Sequence, residues 1–90
     1  MAKSEIGWRK VTEEGVKMQI NARLRGGEWT FLEREKRFDQ WEVIKDPALE
    51  DWQELLDGVR RRIPRGLYPP TEEKKILQRM RELFPDEDIS

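Results

Sequence analysis

The sequence has no cysteine and no histidine. Without cysteine there is no disulfide, zinc–thiolate site, iron–sulfur cluster or thiol nucleophile. Without histidine the commonest general base and the commonest transition-metal ligand are missing. Hydroxyl nucleophiles are few: Ser4, Ser90, Thr12, Thr30, Thr71 and Tyr68. Both serines sit beside the termini, where order is poor. Gly26-Gly27 is the only glycine pair, and no Gly-Lys-Ser/Thr follows it, so there is no phosphate-cradling loop of that type. No apolar run approaches the ~20 residues of a membrane span, and the first residues lack the apolar stretch of a secretory leader. Catalysis by Asp, Glu, Lys or Arg alone remains possible. The expectation is a non-enzyme in the cytoplasm, off the membrane, needing no cofactor and no metal.

What is present is charge. Charged residues make up 41% of the 90, yet 18 Lys and Arg nearly balance 19 Asp and Glu, for a net charge of −1. Disordered chains usually combine low hydropathy with high net charge, and this chain lacks the second half of that signature. Four tryptophans in so short a chain argue for a packed core. The expectation is one folded domain over residues 1–90, frayed at residues 1–5 and 86–90.

Residues 16–25 keep period two without an error. Val16, Met18, Ile20, Ala22 and Leu24 alternate with Lys17, Gln19, Asn21, Arg23 and Arg25. Successive strand side chains point to opposite faces, so one face is apolar and the other wet. Gly26-Gly27 supplies the positive φ of a two-residue hairpin loop. Closing there sets Arg25 opposite Glu28, Leu24 opposite Trp29 and Ala22 opposite Phe31. Upstream, residues 6–11 form a weaker strand candidate. A turn at Thr12-Glu13-Glu14-Gly15 would pair Trp8 with Ile20 and Ile6 with Ala22. Residues 32–38 fit strand, turn or helix. Residues 38–44 read as one more strand.

Asp46-Pro47 changes the regime. Asp is a good N-cap and Pro suits the first helical position. From there Ala48, Leu49, Trp52, Leu55, Leu56, Val59 and Ile63 fall on one helical stripe. Acids come early and Arg60, Arg61 and Arg62 come late, which complements the helix dipole. Pro64 ends this helix. Thr71 is the expected cap of a second helix, whose stripe is Ile76, Leu77, Met80, Leu83 and Phe84, and Pro85 stops it. Strands before helices is the α+β pattern: an N-terminal antiparallel meander of three to four strands, with two C-terminal helices packed on one face. Trp8, Trp29, Phe31, Trp52 and Phe84 are the expected core.

Two surfaces stand out. The wet sheet face gathers Arg9, Lys17, Arg23 and Arg25. Arg34 and Lys36 join if the strand after Gly27 holds its phase. That makes six cations with no acid facing them in this reading. Such a face can receive an acidic partner or phosphates, or it is a solvated face that discourages edge-to-edge aggregation. The second surface is Arg60, Arg61, Arg62 and Arg65 followed by Tyr68. Arg forks grip carboxylate or phosphate, and Tyr can stack on a base. Against it, three consecutive Arg spread over about 200° of a helix, and Asp57 is placed to neutralise Arg61. Trp41 stays open: it faces the core if Val43 does, and lies outside if Phe38 and Ile44 face the core. The acidic end, residues 86–90, reads as a solubilising tail.

The functional expectation is a non-catalytic module that binds a protein partner. It would use the basic sheet face (Arg9, Lys17, Arg23, Arg25, Arg34, Lys36) or the edge around Arg62, Arg65 and Tyr68. Nucleic-acid binding, of RNA or single strands, is the second reading. The sequence pI of about 5.6 weighs against it, since dedicated nucleic-acid binders usually exceed about 9. An enzyme built on carboxylates and Arg is the third.

Overall fold

The computed structural model describes residues 5–89. The fraying expected of residues 1–4 and of Ser90 lies outside the described residues. Among the described residues four strands come first, β1 (Glu5–Val11), β2 (Lys17–Arg25), β3 (Glu28–Arg34) and β4 (Glu42–Val43), and two helices follow, α1 (Leu49–Arg62) and α2 (Pro70–Leu83). The order is α+β. The chain divides into two compact units between Asp46 and Pro47, one holding the strands and the other the helices.

In the first unit the strands form an antiparallel meander in the order β1-β2-β3-β4. The β2–β3 register is the one that Gly26-Gly27 dictates: Arg25 faces Glu28, Leu24 faces Trp29 and Ala22 faces Phe31. Both glycines have positive φ, 58° and 82°, the left-handed geometry that matches the twist of the flanking strands. The β1–β2 turn also closes as expected. Gly15 N–H donates to Thr12 O (2.9 Å), Thr12 N–H donates to Val16 O (2.9 Å), and the Thr12 Oγ1 accepts from Val16 N–H (3.1 Å). Trp8 thereby pairs with Ile20 and Ile6 with Ala22.

These registers stack Ile6, Ala22 and Phe31 in one row of the apolar face, with Trp8 and Ile20 in the next. Ile6, Ile20, Ala22 and Phe31 are buried. Each large apolar side chain so enclosed contributes about 2–3 kcal/mol. Trp8 and Trp29 are only half-buried. Trp8 meets Phe31 edge to face, with ring centroids 6.1 Å apart, a favoured aromatic geometry.

The fourth strand is shorter than residues 38–44. Glu42 and Val43 pair with β3, and Ile44 N–H adds one further bond to Phe31 O (2.8 Å). The reason is a tight turn upstream. Asp39 N–H donates to Lys36 O (2.9 Å), and the Asp39 carboxylate accepts from Lys36 N–H (3.0 Å). Asp side chains favour such closures. Phe38 sits in that turn and is 93% exposed.

In the second unit α1 buries Trp52, Leu55, Leu56 and Val59, a stripe of helical spacing. α2 buries Ile76 and Met80. Phe84 is half-buried, and Ala48 and Leu83 are exposed. The helix starts differ from expectation. Ala48, not Asp46, is the N-cap of α1, and no side chain caps it. Pro69 is the N-cap of α2 and Pro70 is its first residue, so Thr71 lies inside the helix. Proline at this position costs nothing, because the first helical N–H has no intrahelical partner. After α1, Leu67 N–H reaches back to Arg62 O (3.1 Å) and Gly66 N–H to Ile63 O (2.9 Å). Gly66 has φ 77°. This is a Schellman closure, which satisfies the last carbonyls. Two carboxylates, Asp51 and Glu72, are buried in this unit. At the C-terminal end, Glu87 N–H donates to Phe84 O (3.0 Å), so a turn follows Pro85.

Candidate interaction surface

The pleat assigns every second residue of β1, β2 and β3 to the outer face. The registers then build that face row by row. Val11 pairs with Lys17. Arg9, Gln19 and Arg34 form the next row, then Gly7, Asn21, Leu32 and Val43. Glu5, Arg23 and Thr30 follow, and Arg25 with Glu28 closes the series. Arg9, Lys17, Arg23, Arg25 and Arg34 therefore do share one side of the sheet. Lys36 does not; it lies past the end of β3, in the turn that Asp39 holds. The face is also not free of acid. Glu5 Oε2 stands 3.5 Å from Arg23 Nε, and Glu28 is opposite Arg25.

The cations of this face fall into two groups. Arg23 and Arg34 are held. Arg23 Nε donates to Asn21 Oδ1 (3.1 Å), and Arg34 Nε donates to Gln19 Oε1 (2.7 Å). Both guanidinium groups lie against Trp41, Arg34 at 4.2 Å from the ring centroid and Arg23 at 6.0 Å. These are cation–π distances. Arg9, Lys17 and Arg25 are exposed, and none of their side chains has a hydrogen bond or ion pair among the described residues.

Trp41 is thus a member of the outer face. A ring within reach of both Arg23 and Arg34 spans the row between them, which is the row of Asn21 and Leu32. Leu32, an apolar residue on the wet side, is only 8% exposed. Trp41 itself is half-buried. Val11 and Val43, on the same face, are 64% and 61% exposed. Sequence reasoning left Trp41 open and did not place Leu32, Val11 or Val43 on this surface. The signal was present in the phase of Leu32 against Ala22 and Phe31, one residue out of step with the apolar face.

The helical surface is dispersed. Arg60 Nε pairs with Glu73 Oε2 (2.7 Å), linking α1 to α2. Arg61 pairs with Asp57 (3.3 Å), the pair that four-residue spacing predicts. Arg62 Nη1 donates to Gly58 O (3.0 Å). Arg65 is exposed in the Gly66 turn. Tyr68 is buried, 6% exposed, so its ring is not offered for stacking. Burial pushes the Tyr68 hydroxyl above its ordinary pKa of 10.0; nearby Arg62 pulls it down, and Glu72 adds to the rise.

A shallow groove of about 440 Å³ in the strand unit is lined by Met18, Glu33, Arg34, Glu35, Asp39, Gln40 and Glu42. Glu33 and Glu42 face one another across β3 and β4. Among the described residues no three carboxylates come together as a metal site, and no helix is long and apolar enough to cross a membrane. No family model, curated protein or solved structure matches this chain.

Proposed function

We propose that this chain is a non-catalytic module that binds a partner protein through the outer face of its sheet. The observation that carries this is the division of labour among the cations. Arg34 and Arg23 are fixed against Trp41, while Arg9, Lys17 and Arg25 project with no partner among the described residues. Arg and Trp are the residues most enriched at the energetic centres of protein interfaces. The exposed Val11 and Val43 add apolar area to the same patch. Glu5 and Glu28 reduce its positive charge, which suits a protein partner better than a phosphate chain. The edge around Arg62, Arg65 and Tyr68 is the weaker choice, since Arg62 is bonded to Gly58 O and Tyr68 is buried.

The test is an amide-shift titration with two probes, a capped peptide of three Glu-Val repeats and a mixed-sequence single-stranded oligonucleotide. Peptide-induced shifts are expected in β1, β2 and β3 and at Trp41. The double variant Lys17→Glu, Arg25→Glu is expected to weaken peptide binding roughly tenfold. Shifts confined to the helices, or a double variant that binds like the parent, would overturn the reading. Tighter binding of the oligonucleotide, with a steep loss on adding salt, would replace it with nucleic-acid recognition.

A further inference from the structure

Gly7 is a glycine that its own backbone does not require. It lies inside β1, paired with Asn21, and it is not among the residues with positive φ. A Cβ built there would meet Ile20 O at 3.4 Å and Asn21 Nδ2 at 3.7 Å, both ordinary contacts. Neither conformation nor packing therefore demands glycine. Glycine within a strand costs about 0.5–1 kcal/mol relative to alanine, and it often marks a place where a ligand or another chain comes close.

The surroundings of the gap point to an anion. Asn21 Oδ1 is taken by Arg23 Nε, and this fixes the orientation of the side-chain amide. Its other end, Nδ2, is the end beside Gly7. An amide nitrogen is a donor only. Arg9 lies two residues along β1 on the same face, exposed and with no partner among the described residues. Arg23 lies two residues along β2 from Asn21. Arg23 is already shared between Asn21 Oδ1 and the Glu5 carboxylate, so Asn21 Nδ2 and Arg9 are the donors left beside a spot without a side chain. Gln19, the neighbour of Asn21 on the same face, has its oxygen taken by Arg34 Nε.

We propose that the gap over Gly7 is the seat of a partner carboxylate, and that the partner is an acidic, extended segment lying across the outer face. This rests on the protein-binding reading above and adds the chemistry of the partner. An Asp or Glu side chain enters over Gly7, accepts from Asn21 Nδ2 and pairs with Arg9. Apolar residues of the same segment lie on Val11 and Val43. A carboxylate suits the seat because Asn21 Nδ2 and Arg9 donate, while the one acid beside it on β1, Glu5, is drawn to Arg23. The protein partner is favoured over a phosphate chain because two carboxylates, Glu5 and Glu28, belong to the same face, and because its two exposed apolar side chains are Val11 and Val43.

The test is Gly7→Thr, with Gly7→Ala as the smaller step. Threonine favours strands, so Gly7→Thr is expected to unfold at a temperature about 4 °C higher or more. The same change is expected to weaken binding of the capped Glu-Val peptide about tenfold, with Gly7→Ala between threonine and the parent. A stabilised protein with weakened binding supports the seat. Affinity within about twofold of the parent, in a folded Gly7→Thr or Gly7→Ala protein, overturns it. If Lys17→Glu, Arg25→Glu abolishes peptide binding while both Gly7 variants retain it, the face stands and only the seat fails. An oligonucleotide that outcompetes the peptide and is itself excluded by Gly7→Thr would show a phosphate site instead, which also overturns the proposal.

Discussion

Arg23, Arg25 and Arg34 are scattered along two strands and share one face; Arg60, Arg61 and Arg62 are consecutive and share nothing. The difference lies in the period of the backbone. In a strand, residues two apart point the same way, and pairing brings distant positions into one row. In a helix each residue turns about 100° from the last. The three helical arginines accordingly find three separate partners: Glu73, Asp57 and the carbonyl of Gly58. On the sheet, Arg9, Lys17 and Arg25 find none among the described residues. A run of like charges in a sequence is therefore a poorer guide to a binding surface than an alternating pattern, because the run is dispersed and locally neutralised.

Breaking the sheet register should have the largest effect on this contrast. Phe31→Ala removes the best-buried aromatic of the apolar face. It is expected to cost about 3–5 kcal/mol in a urea titration and to abolish peptide binding, since the gathered cations depend on the pairing of β2 with β3. Trp41→Ala tests the outer face alone. It removes the ring that Arg34 stacks on at 4.2 Å. A loss of about 1–2 kcal/mol is expected, with faster amide exchange in residues 35–43 and unchanged exchange in α1. Equal loss of protection in both units would mean that Trp41 does more than clamp the outer face. Arg61→Ala should do least. Its pair with Asp57 is largely exposed, 68% and 64%, so a change within about 0.5 kcal/mol is expected, with no change in peptide affinity. A tenfold loss of affinity at Arg61 would move the binding surface to the helices.

The hairpin was legible in the sequence because three signals agreed. Ten residues kept period two, Gly26-Gly27 demanded one loop, and that loop put Trp29 and Phe31 on the apolar face. Each signal alone allows a slip of one residue, which would reverse the faces. The helical stripes were legible for the same reason, a sustained period with proline at the boundaries. The fourth strand was not. Residues 38–44 carry two conflicting alternations, Phe38 with Ile44 and Trp41 with Val43. The chain resolves the conflict by leaving Phe38 in a turn, and local pattern does not show which aromatic will be released. Glu28 was legible opposite Arg25 from the hairpin itself, whereas Glu5 was missed as a member of the cationic face because the first strand was read as beginning at Ile6 and the structure begins it at Glu5. Tyr68 was read as a surface ring from its polar neighbours, while the structure buries it beside Arg62 and Glu72. Gly7 carried its signal only after Asn21 was placed next to it.

The brevity of β4 has a consequence for how the sheet can grow. With the order β1-β2-β3-β4, one boundary is the seven-residue β1 and the other is a two-residue strand. Unpaired strand edges template further pairing, and two residues offer too few backbone groups to recruit another chain. If two molecules joined through β1, the eight-stranded product would end in β4 on both sides. Polymerisation by strand addition would then terminate after a single step, and fibril growth along the backbone would have no free end to continue from.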